Sequence, residues 1–209
     1  MDRRIKTLEL FSGTKSFSKV AKEMGYETLT IDNLPELNPD ICMDIMDFDI
    51  NLLNDYKPDI IWASPPCQKF SVAALSKNWD NSTGENLPKN EETLKAMQMV
   101  SKTVEIIATL NPTFFYIENP RAMLRKQGLI PYPFTTVTYC QYGFHYMKPT
   151  DIWTNNERWR MVAKCCKNGM TCHESAPRGS TSGMQGIKGA KARGAMPPKL
   201  IQEILEYSK

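Results

Sequence analysis

Short apolar runs alternate with amphipathic stretches along this chain, and that alternation limits the possible folds more than any other feature. Ile5 to Phe11 reads as a strand. Ser16 to Met24 reads as a helix with Phe17, Val20, Ala21 and Met24 on one face, closed by Gly25. Glu27 to Ile31 is a second strand with Asp32 at its carboxyl end, and Ile41-Cys42-Met43 is a short one followed by Asp44. Ile60 to Ala63 comes next. A long amphipathic helix from Glu91 to Leu110 is stopped by Asn111-Pro112, and a strand from Thr113 to Ile117 leads into Glu118-Asn119-Pro120. Further β segments are expected over Phe134 to Cys140, Thr150 to Thr154 and Arg160 to Ala163, with a final helix from Pro198 to Tyr207. Strands and helices of this size in alternation predict a doubly wound α/β sheet.

The 209 residues suit a single domain spanning residues 1–209, long enough to bury a proper core. Apolar content of 41% and charged content of 23% fit a globular protein rather than a disordered or fibrous one. The apolar run after Met1-Asp2-Arg3-Arg4 is too short for a signal-peptide core or a membrane span. A cytoplasmic setting without membrane contact is therefore expected, with the six cysteines reduced. Charge is unevenly spread. Nine Lys/Arg face only two Asp/Glu between Glu157 and Lys199, so the rest of the chain is net acidic. A basic carboxyl-terminal third points to a polyanion partner, although a solvated loop can look the same. Lys69 to Asn90 and Arg178 to Gly194 read as polar, flexible loops.

The chemistry concentrates at strand ends. Ser64-Pro65-Pro66-Cys67 follows the Ile60 to Ala63 run. Two prolines break the strand ladder and fix the exit direction, so Cys67 is presented rigidly where open α/β sheets collect their ligands. Placed there it reads as a nucleophile, whereas most free cysteines are simply small core hydrophobes. Leu8 to Ser16 reads as a strand, a small-residue turn and a helix start, lacking both the P-loop and the dinucleotide fingerprint. Asp32, Asp44 and Glu118 stand at successive strand ends, where turn aspartates and a helix-start carboxylate are the plainer alternatives.

Taken together, Phe11-Ser12-Gly13, Ser64-Pro65-Pro66-Cys67-Gln68 and Glu118-Asn119-Pro120, with Ala195-Met196-Pro197-Pro198 near the end, make the chain resemble the DNA cytosine-C5 methyltransferases. The resemblance covers nearly the whole chain in order and approximate spacing. It implies a Rossmann-like, S-adenosylmethionine-dependent methyltransferase sheet, mostly parallel with a late antiparallel strand. Cys67 would add to cytosine C6 and Glu118 would serve the N3 edge. Phe11, Ser12, Gly13, Thr14, Asp32, Asp44, Ile45 and Pro65 would hold S-adenosylmethionine. Pro66, Gln68, Ser71, Asn119 and Lys148 would meet the base. DNA is the implied partner, with its base flipped out or already unpaired. Trp79, Lys77 or Asn78 could fill the gap left in the stack, or Trp79 could hold its loop down.

The departures from the family pattern are specific. Lys15 stands where the family's cofactor turn has glycine. Tyr146, Lys148 and Thr150 occupy the family's Gln-x-Arg-x-Arg region, and a lysine cannot reproduce an arginine fork. A small basic insert, residues 155–195, takes the place of a full target-recognition domain. Short sequence specificity, or specificity supplied by a partner, is expected, with phosphate contacts from Arg158, Arg160, Lys164, Lys167, Arg178, Lys188, Lys191 and Arg193. Such compactness suggests a phage or viral enzyme working in the host cytoplasm. Cys165 or Cys166, Cys172 and His173, with Cys140, are zinc candidates. Their spacing fits no standard finger, so packing is preferred to a metal site. Two alternatives stay open: a methylase for modified cytosine, single-stranded DNA, RNA or a nucleotide, and a catalytically idle DNA- or cofactor-binding protein. The Glu-Asn segment lacks the cysteine that RNA members of the superfamily use as nucleophile, which favours DNA.

Overall fold

A computed structural model describes residues 3–53, 55–167, 169–174 and 183–209. Its chain order is β1 (Lys6–Leu10), α1 (Ser16–Glu23), β2 (Glu27–Asp32), β3 (Ile41–Cys42), β4 (Ile60–Ala63), α2 (Leu75–Asn78), β5 (Trp79–Asp80), β6 (Leu87–Pro88) and α3 (Glu91–Leu110). There follow β7 (Phe114–Pro120), β8 (Phe134–Thr138), β9 (Pro149–Thr154), α4 (Glu157–Val162), α5 (Gly183–Gly186), α6 (Ala190–Gly194) and α7 (Pro198–Glu206).

Seven strands form one sheet in the order β3-β2-β1-β4-β7-β9-β8. The pairs β1–β2, β2–β3, β1–β4 and β4–β7 are parallel, and β9 runs antiparallel between β7 and β8. This is the expected mostly parallel α/β sheet with a late antiparallel strand. After β3 the chain crosses to the far side of β1, so the switch point lies between β1 and β4. That is where a crevice opens at the carboxyl ends of the strands.

The two-residue side-chain period of a strand sorts the core into two faces. Ile61, Ala63, Phe115 and Ile117 point to the α3 face, where Val100, Ile106 and Ile107 cover them. Ile60, Trp62 and Tyr116 point to the α1 and α7 face, against Phe17, Leu200, Ile201 and Ile204. There Trp62 stacks between Phe17 and Tyr116, with ring centroids 5.4 and 6.1 Å apart. Helix α3 keeps its expected limits because both ends are specified. The Asn90 side chain accepts from Thr93 N at 2.9 Å, and Asn111 turns left-handed (φ 46°) before Pro112.

Three expectations change. Arg160 to Ala163 lies in and just after helix α4 instead of forming a β segment, because Asn156 caps the helix (Trp159 N to its Oδ1, 3.1 Å) and Trp159 drives into the core. Strand β7 runs on through Glu118-Asn119-Pro120, held by pairing with Thr150 to Ile152 of β9. Residues 69–90 are largely ordered, containing α2 and the β5–β6 hairpin. No helix among the described residues is long and apolar enough to cross a membrane.

Candidate active site

The Pro-Pro-Cys loop leaves β4 under restraint from both sides. Trp62 Nε1 donates to Ser64 Oγ at 2.8 Å, and Ser64 N reaches Leu10 O at 3.3 Å. Asn119, from the end of β7, donates its side-chain amide to Pro65 O at 2.9 Å. Beyond the prolines the chain turns back on itself, Phe70 N and Ser71 N both donating to Cys67 O at 3.0 and 2.9 Å. The result is a half-buried Cys67 beside Glu118. Burial pushes the Cys67 thiol above its ordinary value and the Glu118 charge pushes it further, while Lys148 and Arg193 pull it back.

Glu118 is buried in β7 and accepts from the Tyr139 hydroxyl at 3.3 Å. Lys148 lies over the Tyr139 ring, 4.7 Å from its centroid, and donates to Arg193 O at 3.0 Å. Glu118, Lys148 and Arg193 therefore all act electrostatically on the thiol, and Tyr139 contacts both the carboxyl and the Lys148 ammonium. Tyr139 escaped the sequence reading. It lies 21 residues from Glu118, and only the β7-β9-β8 order brings the two together.

Beside this cluster, at the switch point, Phe11, Ile31, Asp32, Asn33, Met43, Asp44, Ile45, Pro66 and Met99 line a partly open cleft. The turn after β1 is built from left-handed residues, Phe11 (φ 58°), Gly13 (φ 47°) and Lys15 (φ 55°). Lys15 thus keeps the backbone shape its glycine counterpart would take, and anchors its ammonium on Asn38 O. Asp32 fixes this turn by accepting from Gly13 N at 2.8 Å and from Leu34 N at 3.0 Å. Beneath it, Glu9 receives Ser18 N at 2.9 Å, serving as the cap of α1 from a neighbouring strand.

Two residues expected to meet ligands, Pro65 and Asn119, lie deeper than the sequence suggests. Pro65 is buried and Pro66 lines the cleft, because Asn119 pulls the Pro65 carbonyl inward. Asn119 itself is fully buried and braces the loop through its amide nitrogen, while its Oδ1 has no hydrogen-bond partner among the described residues. Trp79 is 2% exposed, packs on Phe70 and donates to Lys69 O at 2.6 Å, so it holds its loop down. Asn78 is equally buried, which leaves Lys77 as the exposed member of that trio. Gln68 is exposed beside Cys67, Ser71 and Thr14 are half-buried, and Ser12 is buried. In the basic segment Lys164 pairs with Glu203 at 2.7 Å, while Arg178 and the Lys191 side chain lie outside the described residues. Cys140, Cys166, Cys172 and His173 converge, whereas the Cys165 thiol turns to Cys166 O.

The fold and this strand-end cluster define a methyltransferase-type α/β architecture. Entamoeba histolytica methyltransferase EhMeth shares the fold at TM-score 0.53 and 12% identity, with 84% of this chain and 58% of that one aligned. The chain spans about half the length of the solved structures it matches. The family model for C-5 cytosine-specific DNA methylase matches residues 5–130. A Frog virus 3 (isolate Goorha) protein named "Probable DNA (cytosine-5)-methyltransferase" is 31% identical over 219 aligned positions, 97% of this chain and 99% of that protein. Type II methyltransferase M.HgiGI of Herpetosiphon aurantiacus is 27% identical over 135, covering 58% of this chain and 96% of its own length. The chain belongs to the C-5 cytosine-specific DNA methylase family.

Proposed function

We propose that this protein transfers a methyl group from S-adenosylmethionine to C5 of cytosine in DNA, with Cys67 as nucleophile and Glu118 as its partner acid. The observation that carries the reading is the pairing of a half-buried thiol, in the loop leaving β4, with a buried carboxyl near the end of the adjacent parallel strand β7, next to the switch-point cleft. The residues of that cleft fit the cofactor. Asp32 and Asp44 offer carboxylates to ribose hydroxyls and the adenine edge, and Phe11, Ile45 and Met99 supply apolar walls. The buried Ser12 hydroxyl has no hydrogen-bond partner among the described residues, which suits it to a ligand's polar atoms. When bound, the cofactor supplies an electrophilic methyl group.

The protein's own residues do the rest. Cytosine C5 is a weak nucleophile until a thiolate adds to C6. Cys67 forms that bond and pushes electron density toward N3, where Glu118 donates a proton. Tyr139 orients the carboxyl. Lys148 and Arg193 favour the ionised form of Cys67. Loss of the C5 proton then expels Cys67. Duplex DNA must extrude its base to reach this depth, and exposed Lys77 is the residue of its loop left to enter the stack. The basic segment after β9 stands in for a recognition domain and holds phosphates.

The test is covalent trapping on DNA containing 5-fluorocytosine, where the missing C5 proton prevents release. An adduct with the native chain that disappears in Cys67→Ser is expected. Parallel arms with single-stranded DNA, RNA and nucleotide compare the substrate alternatives. Cofactor binding without adduct or methyl transfer on any of them would leave an idle binding protein.

A further inference from the structure

We propose that Cys140, Cys166, Cys172 and His173 bind a structural zinc ion that fastens the basic segment to the turn carrying Tyr139. The four donors come from three places in the chain. Cys140 sits in the 3-10 turn (Tyr139–Tyr142) that follows β8, Cys166 in the extended stretch after α4, and Cys172-His173 in the next turn. Their ligand atoms nevertheless lie within 4.8 Å of one another.

The spacing matches a tetrahedral centre. Zinc–sulfur bonds of about 2.3 Å and zinc–nitrogen bonds of about 2.0–2.1 Å set neighbouring sulfurs about 3.8 Å apart, and sulfur and nitrogen about 3.6 Å apart. Cys172 Sγ lies 3.8 Å from Cys140 Sγ and 3.4 Å from His173 Nδ1, and Cys166 Sγ lies 3.7 Å from the same nitrogen. Cys140 and Cys166 are closer, at 3.1 Å between sulfurs, and would have to part by about 0.7 Å to share the ion.

Packing explains this cluster poorly. Apolar burial accounts for Cys140 and Cys166, but Cys172 is exposed and His173 half-buried, and both still turn toward the same point. Disulfide chemistry would pair two of three thiols and leave the imidazole without purpose. Supporting contacts of the kind that orient ligands are in place. Gln141 Nε2 donates to Cys172 Sγ at 3.2 Å, and the backbone at Cys166 is fixed by its N–H on Thr138 Oγ1 at 2.8 Å. Four protein ligands close the coordination shell, which is the structural rather than the catalytic arrangement. The adjacent Cys172-His173 pair, awkward in sequence, is workable because Gly169 (φ 86°) reverses the chain before it. The bonded segment runs on to Glu174, whose N–H reaches His145 O at 2.8 Å. Lys164 and Lys167 are thereby held near the end of β8, on the side of the sheet that carries Glu118 and Tyr139.

The experiment is metal analysis of the full chain, purified reduced and without a metal-binding tag, read by elemental mass spectrometry and by the visible spectrum after cobalt(II) exchange. One zinc per chain is expected, with cobalt giving an intense tetrahedral thiolate spectrum. Cys172→Ser and His173→Ala should lose that spectrum, while Cys165→Ser and Cys42→Ser keep it. Failure of the reduced native chain to take up zinc or cobalt overturns the proposal, as does an octahedral cobalt spectrum or full retention in Cys172→Ser. The native-chain spectrum decides even where a variant does not fold, and neither readout depends on methyl transfer.

Discussion

Arg125→Met should destabilise the protein through one buried carboxylate. Asp151 in β9 is fully buried and takes both nitrogens of an Arg125 fork, Nε at 2.7 Å and Nη2 on the other oxygen, with Thr136 Oγ1 adding a contact at 2.8 Å. The arginine side chain is 27% exposed and lies 4.8 Å over the Phe134 ring. Removing one partner of a buried ion pair costs about 3–5 kcal/mol, because the remaining charge stays out of water. Thr136 still serves Asp151 and water can approach through the vacated space, so the lower end, about 3 kcal/mol, is expected. At about 2–4 °C per kcal/mol for a chain of this size, melting should fall by about 6–12 °C. Urea unfolding would measure the free energy, with a slope unchanged if the surface exposed on unfolding is the same. The double variant Arg125→Met/Asp151→Leu removes both charges and should recover most of the loss. A single-variant cost below about 1 kcal/mol, or a double variant no better than the single, would refute the argument. The effect should also reach the site, since β9 sets Asp151 opposite Asn119 and Ile152 opposite Glu118. Faster amide exchange at Asn119 is the local sign.

Other outcomes follow from the same geometry. Glu118→Gln removes the charge that raises the Cys67 thiol, so peptide-resolved alkylation of Cys67 should speed up near neutral pH; Lys148→Gln should slow it, and shifts in the opposite directions would break the assignment. Glu9 is buried with its carboxyl pushed up to about 7 from 4.5, so the native state holds the extra proton. Stability should therefore fall as pH rises through that window, by on the order of 3 kcal/mol, and stay level above it. Glu9→Gln should flatten the profile, which denaturation midpoints at the two ends would show. Trp79→Ala should cost about 3 kcal/mol and open residues 69–90 to proteolysis, while exposed Lys77→Ala should change stability by less than about 0.5 kcal/mol.

The sequence alone determined a good deal. The β1-to-β4 alternation, the limits of α3 and the placement of Cys67 beyond a proline-broken strand were all legible, because each rests on local periodicity, a cap or a ring-locked φ. Glu118 could be singled out from its neighbours in the chain, and the aspartates at the ends of β2 and β3 from theirs. What needed the tertiary structure was every relation across distance. β7 runs past Ile117 only because β9 pairs with it, and Tyr139 reaches Glu118 only through the β7-β9-β8 order. Asn119 became a brace for Pro65, and Trp79 an anchor, once their burial was known. The convergence of Cys140, Cys166, Cys172 and His173 follows no spacing rule. Local propensity is written in a few adjacent residues, whereas a contact between strands depends on which surfaces the whole chain must hide from water.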